Sequence, residues 1–112
     1  MDLRNAFAVT SIRADNEVTI RAGGDLEFSV IRELMRAIDS AVDDSVAIVV
    51  LDCEQVTFID SEALKVLIAA RRKLSLQGKV LMLGKCSKPV TRVLTLLGLQ
   101  SHLGCPPDGA AG

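Results

Sequence analysis

The sequence predicts an α/β fold: one domain built on a mixed β-sheet, opened by an N-terminal hairpin and continued by parallel βαβ units, in the order ββαβαβα. Three observations lead there. Val18 and Ile20 alternate with Thr19 and Arg21, the period of two of a strand with one buried and one wet face. Val46 to Leu51 reads Val-Ala-Ile-Val-Val-Leu, apolar at both parities, as expected of a central strand covered on both sides. The segments after these strands are instead apolar every third or fourth residue, which is helical spacing. A length of 112 residues suits a single core that needs neither disulfides nor a structural metal.

Each element follows from local chemistry. Ala6 to Arg13 is β-rich, and Ala14-Asp15-Asn16 supplies a turn into the strand of Val18 and Ile20. Ala22-Gly23-Gly24-Asp25 is expected to break that strand. Phe28, Ile31, Leu34, Met35 and Ile38 then form an apolar stripe, with Arg32, Glu33, Arg36 and Asp39 opposite it. The central strand is expected to end at Asp52, followed by Val56-Thr57-Phe58-Ile59. Asp60-Ser61 offers two good N-cap types before a helix striped by Leu64, Leu67, Ile68 and Leu74. Gln77-Gly78 stops it, and Val80 to Leu83 reads as another buried strand, completing a strand-helix-strand unit with parallel pairing. Pro89 sits in the first turn of a last helix, which Gly98 closes. The expected domain spans residues 1–103, and 104–112 reads as a flexible tail with little to bury.

Composition narrows the function classes. Thirteen Lys and Arg against fourteen Asp and Glu leave a net charge of −1, and there is no Trp or Tyr. Such a chain has no field for a phosphate backbone and few rings to stack on bases, so direct nucleic-acid binding is not expected. No apolar run approaches the roughly 20 residues needed to cross a bilayer, and Met-Asp-Leu-Arg-Asn-Ala-Phe lacks the pattern of an export signal. The expected location is the cytoplasm. Three cysteines without CxxC spacing, Cys53, Cys86 and Cys105, suggest neither a zinc site nor a disulfide framework.

An enzyme is not expected. The one histidine, His102, lies near the C-terminal end, and no spacing supports a Ser61–His102–Asp60 triad. Gly23-Gly24 and Gly84 fit no nucleotide-binding glycine pattern, and no cofactor is implied. Arg71-Arg72-Lys73 reads as a solvated helix face. The informative stretch is Thr57-Phe58-Ile59-Asp60-Ser61-Glu62-Ala63-Leu64. Here a connection leaving a parallel strand ends in a hydroxyl at a helix N-terminus, where unsatisfied N–H groups and the helix dipole favour an added anion. Ser61 is a natural phosphoacceptor there, although a plain capping role for Asp60 or Ser61 accounts for the same pattern. A second expectation concerns Cys53 and Cys86, which each follow a parallel strand. Both would emerge at one sheet edge, either as a redox pair or as two small apolar side chains.

The run Val49-Val50-Leu51-Asp52-Cys53-Glu54-Gln55-Val56-Thr57-Phe58-Ile59-Asp60-Ser61-Glu62-Ala63-Leu64, then Gly78-Lys79-Val80-Leu81-Met82-Leu83, then Leu97-Gly98-Leu99, resembles a STAS domain of the bacterial anti-sigma-factor antagonist type. The match spans roughly Val18 to Leu99, and its most specific part is similar to the family's F-[IM]-D-S-[ST]-G-L signature. The resemblance implies a non-enzymatic regulator of transcription. Its partner would be an anti-sigma factor that is also a serine kinase with a GHKL-type ATP site. Binding frees a sigma factor, and phosphorylation of Ser61 ends the binding. Asp60, Ser61, Glu62, Lys65 and Glu27 would then form the partner-binding surface. Glu62 stands where the family has Ser or Thr, Ala63 where it has Gly, and Glu27 where it tends to have Asp. The family's C-terminal helix has no clear counterpart. The alternative within the same resemblance is an unphosphorylated scaffold subunit of a lipid-transport or signalling assembly, in which Ser61 only caps.

Overall fold

The computed structural model of the chain describes residues 6–99. His102, Cys105 and the expected tail 104–112 lie outside the described residues. Strands β1 (Ala8–Ala14), β2 (Glu17–Leu26), β3 (Ile48–Ile59) and β4 (Val80–Cys86) form one sheet in the order β1-β2-β3-β4. The β1–β2 pair is antiparallel, and the β2–β3 and β3–β4 pairs are parallel. Helices α1 (Ile31–Ala41), α2 (Ser61–Leu76) and α3 (Lys88–Leu97) follow β2, β3 and β4, and a single 3-10 turn at Phe28–Val30 precedes α1. The order is ββαβαβα, as the sequence predicts.

Asp15 takes a left-handed φ of 54° in the hairpin turn, a conformation that Asp tolerates because its short side chain bonds locally. Both crossovers step in the same direction across the sheet. With right-handed connections, that puts α1 and α2 on one face. Val18, Ile20 and Ala22 of β2, Val49, Leu51 and Cys53 of β3, and Leu81 and Leu83 of β4 point to that face and are buried. Leu34, Ile38, Leu64, Leu67, Val90 and Leu94 of the helices complete the core. Fully burying a Leu or Ile of this kind stabilises the fold by about 1.5–3 kcal/mol.

The opposite face is open, which corrects the reading of two strands. Ile48 and Val50 are only half-buried, and Val80 and Met82 of the edge strand are 52% and 38% exposed. Apolar residues at both parities therefore do not mean two covers here. Phe28 and Ile68 also leave their expected stripes. Phe28 is 57% exposed because it begins the 3-10 turn rather than the helix, and Ile68 is half-buried.

The two expected strand breaks do not occur. Ala22-Gly23-Gly24-Asp25 stays within β2, and β3 continues past Asp52 to Ile59. Bulges absorb the strain: Arg21 pairs with Asp52 but Gly23 with Gln55, and Gly24 pairs with Val56 but Asp25 with Phe58. At each step β3 carries one extra residue, which bends a strand and re-aims its side chains. Gly24 is needed at its bulge, with a φ of 86° and the Ala6 carbonyl lying where a Cβ would stand. Helix α2 ends as the sequence predicts. Gly78 donates to Ser75 and Lys79 to Leu74, the paired bonds of a Schellman cap with Gly78 left-handed at φ 76°.

Candidate functional site

The site forms where β3 outruns its neighbour. Cys53 and Cys86 are the last paired residues of β3 and β4, and beyond them β2 is the only strand paired with β3, as far as Leu26 and Ile59. The backbone N–H of Asp60 then donates to Leu26 O at 3.3 Å. One carboxylate fixes the corner. Asp60 Oδ1 accepts the Ala63 N–H at 2.7 Å and caps α2, while Oδ2 accepts the Phe28 N–H at 2.9 Å. The start of the 3-10 turn and the start of α2 are thus tied to the same side chain, and two otherwise orphaned N–H groups are satisfied.

With Asp60 as the cap, Ser61 is left for other work. It is the first residue of α2, it is exposed, and among the described residues its hydroxyl takes no side-chain hydrogen bond. The hydroxyl stands at the positive end of a 16-residue helix, where an added anion meets free N–H groups and a favourable dipole. Glu62 follows in the first turn and is paired with Lys65 at 3.2 Å, both side chains being well exposed. Glu27 lies at the start of the 3-10 turn, between Leu26 and Phe28, the two residues bonded to Asp60. The five residues for which the family resemblance implies a partner surface, Asp60, Ser61, Glu62, Lys65 and Glu27, therefore lie together at the C-terminal edge of the sheet, where β2 and β3 end.

Sequence reasoning missed two members of this edge. Phe28 and Phe58 are 57% and 46% exposed and sit on either side of Asp60, Phe28 through its backbone bond and Phe58 two residues earlier in β3. The chain has only three Phe and no Trp or Tyr, so two of its three aromatic rings face solvent here. Alternation from Val56 would have put Phe58 on the buried face. The bulge at Thr57 turns it outward, and Thr57 itself donates to Asp25 Oδ1 at 2.6 Å. A bulge of this kind leaves no mark in hydrophobic periodicity. The two glycines on β2 opposite it were the available signal.

Cys53 is fully buried and Cys86 is half-buried, and the two are register partners on adjacent strands. Among the described residues, no group of three or more His, Cys, Asp and Glu side chains gathers to hold a metal ion. No helix among them is long and apolar enough to cross a membrane.

Comparison with known proteins places this architecture. The chain is similar in structure to an anti-sigma factor antagonist from Mycobacterium paratuberculosis, with a TM-score of 0.74 at 24% identity over 86% of this chain and 81% of that one. It is also similar to the anti-sigma factor antagonist SpoIIAA in its unphosphorylated form, with a TM-score of 0.69 at 23% identity over 86% and 84% of the two chains. The phosphorylated form of the Bacillus cell fate determinant SpoIIAA gives a TM-score of 0.60 at 22% identity over 86% of each chain. No curated protein matches the sequence. The STAS domain profile matches residues 8–108, nearly the whole length, and the chain belongs to the STAS domain family.

Proposed function

We propose that this protein is an anti-sigma-factor antagonist that docks on an anti-sigma factor of the GHKL serine-kinase type through the Asp60–Ser61–Glu62 edge and is switched off by phosphorylation of Ser61. The observation that carries the reading is the division of labour at the start of α2. Asp60 performs the capping, so Ser61 is an exposed hydroxyl with no structural duty to keep it from a kinase or a partner. The likeness to anti-sigma factor antagonists in fold supports the class of partner.

Function follows from charge. A phosphate adds about −1.5 to −2 charges at Ser61, beside Asp60 and Glu62. Against a partner carboxylate some 6 Å away, the added repulsion costs about 1–3 kcal/mol at an effective dielectric of about 40 to 80. That is roughly a tenfold to hundredfold loss of affinity. The free N–H groups of α2 soften the self-energy of the phosphate within this chain but do nothing for the partner. The unphosphorylated protein binds, the phosphorylated protein releases, and the sigma factor follows the anti-sigma factor's choice. Phe28 and Phe58 supply the apolar anchors of the docking surface, since exposed aromatic rings beside a polar switch dominate binding once desolvated.

The test is phosphate transfer. Incubated with ATP and the cognate anti-sigma kinase, wild-type protein gains one phosphate that peptide mass spectrometry maps to Ser61, and Ser61→Ala gains none. If wild-type protein binds the same partner and takes up no phosphate, the switch is refuted and a constitutive STAS scaffold is the better account.

A further inference from the structure

We infer that Cys53 and Cys86 close a reversible intramolecular disulfide that clamps the base of the strand carrying Ser61. Three observations converge. The two residues are direct register partners on parallel strands β3 and β4. Hydrogen-bonded strands lie about 4.8 Å apart, inside the Cα separation of about 4.4–6.8 Å that a disulfide spans.

The side chains also share a face, and a bulge is the reason. Leu51 pairs with Leu83 and Cys53 with Cys86, so β4 carries one residue more than β3 across this step. Without that extra residue, Cys86 would point to the open side of the sheet. With it, Cys86 packs against the same core cluster in which Cys53 is buried.

The pair also has unequal access. Cys86 is partly exposed and Cys53 fully buried, which orders the chemistry. The Cys86 thiolate attacks a peroxide oxygen, the O–O bond breaks, and hydroxide leaves with Cys86 as the sulfenic acid. The Cys53 sulfur then attacks Cys86 Sγ, the S–O bond breaks, and the departing hydroxide takes the Cys53 proton as water. Two thiols lose two electrons in total and hydrogen peroxide is reduced to two waters.

Position gives the bond its consequence. Cys53–Cys86 is the last rung between β3 and β4, the Ser87 N–H donates to Cys53 O at 3.1 Å just beyond it, and the next residues of β3 lead to Phe58, Asp60 and Ser61. A covalent rung there restrains the part of β3 whose only strand partner is β2. This follows from the placement of the cysteines and holds whatever partner meets Ser61.

The experiment uses the full chain with Cys105→Ser, so that the pair holds its only two thiols. Treated with hydrogen peroxide and then with a maleimide, the protein is expected to lose about 2 Da and take no maleimide. A single peptide should join Cys53 to Cys86, and a dithiol should reverse the change. Amide exchange over residues 54–60 should slow in the oxidised form. Oxygen adducts on Cys86 with Cys53 still open to maleimide after unfolding, or disulfide-linked dimers, overturn the pair. A closed disulfide with unchanged exchange over 54–60 overturns the clamp. In Cys86→Ser, the mass loss must vanish.

Discussion

The two ends of the parallel sheet are built to opposite plans. At the N-terminal ends of β2, β3 and β4, polar groups are spent on each other. Arg13 bonds Asp43 and Ser45, Ser45 N–H donates to Asp43, and Lys79 Nζ donates to the carbonyls of Asp43 and Val46 at 2.9 and 2.6 Å. The Ala47 N–H closes the same end onto Asn16 O at 2.7 Å. At the C-terminal ends, Asp60 ties α2 to the 3-10 turn and Asp25 accepts the Thr57 hydroxyl, while the Ser61 hydroxyl and the rings of Phe28 and Phe58 are left facing solvent. The difference teaches where to look for function: the end whose polar groups are spent on one another is architecture, and the end that leaves a hydroxyl and two rings exposed is the one the proposed function offers to a second molecule.

The sharpest way to break this contrast is Asp60→Ala. It removes a cap and the bond to Phe28 together, and a loss of about 2 kcal/mol in denaturant unfolding is expected. A loss under about 0.5 kcal/mol would show that Asp60 does not hold the corner. Next in size is Phe28→Ala with Phe58→Ala. These rings are exposed, so stability should barely move, while affinity for the anti-sigma factor should fall at least about tenfold. Unchanged affinity by titration calorimetry would remove the aromatic anchors from the docking surface.

The opposite end has a pH signature. Hydrogen bonds from the Ser45 hydroxyl and backbone N–H, joined by those and the charge of Arg13, hold the Asp43 carboxyl down at about 2 from an ordinary value of 3.8. The folded state thus binds this proton less readily than the unfolded state. The stabilisation is complete above about pH 4 and is lost as pH falls toward 2. Asp43→Asn should flatten that part of the acid unfolding profile, and an unaltered profile would contradict the pairing. Smallest is Glu62→Gln, which breaks an exposed pair with Lys65 and should change stability by no more than about 0.5 kcal/mol.

How much of this was legible in the sequence divides along the same line. The element order, the helix stops at Gly78 and Gly98, and the convergence on Asp60 and Ser61 follow from caps, glycines and periodicity, all of which act within a few residues. What escaped was set by neighbours far along the chain. Phe58 turns outward because β3 carries an extra residue against β2, and β2 passes through Gly23-Gly24 because those residues fit the bulged register; the meeting of Cys53 and Cys86 was expected, but not the extra residue of β4 that turns Cys86 inward. Bulges invert the side-chain face without altering composition, so a reading by alternation fails at each one. That three of them lie around the candidate site is the reason its fold was easier to read than its surface.

The account rests on Ser61 as an exposed switch, and the most direct measurement is titration of the anti-sigma factor with unphosphorylated protein and with protein stoichiometrically phosphorylated at Ser61, at the same ionic strength. The account predicts affinity at least about tenfold weaker for the phosphorylated protein. Equal affinities for the two forms would contradict it.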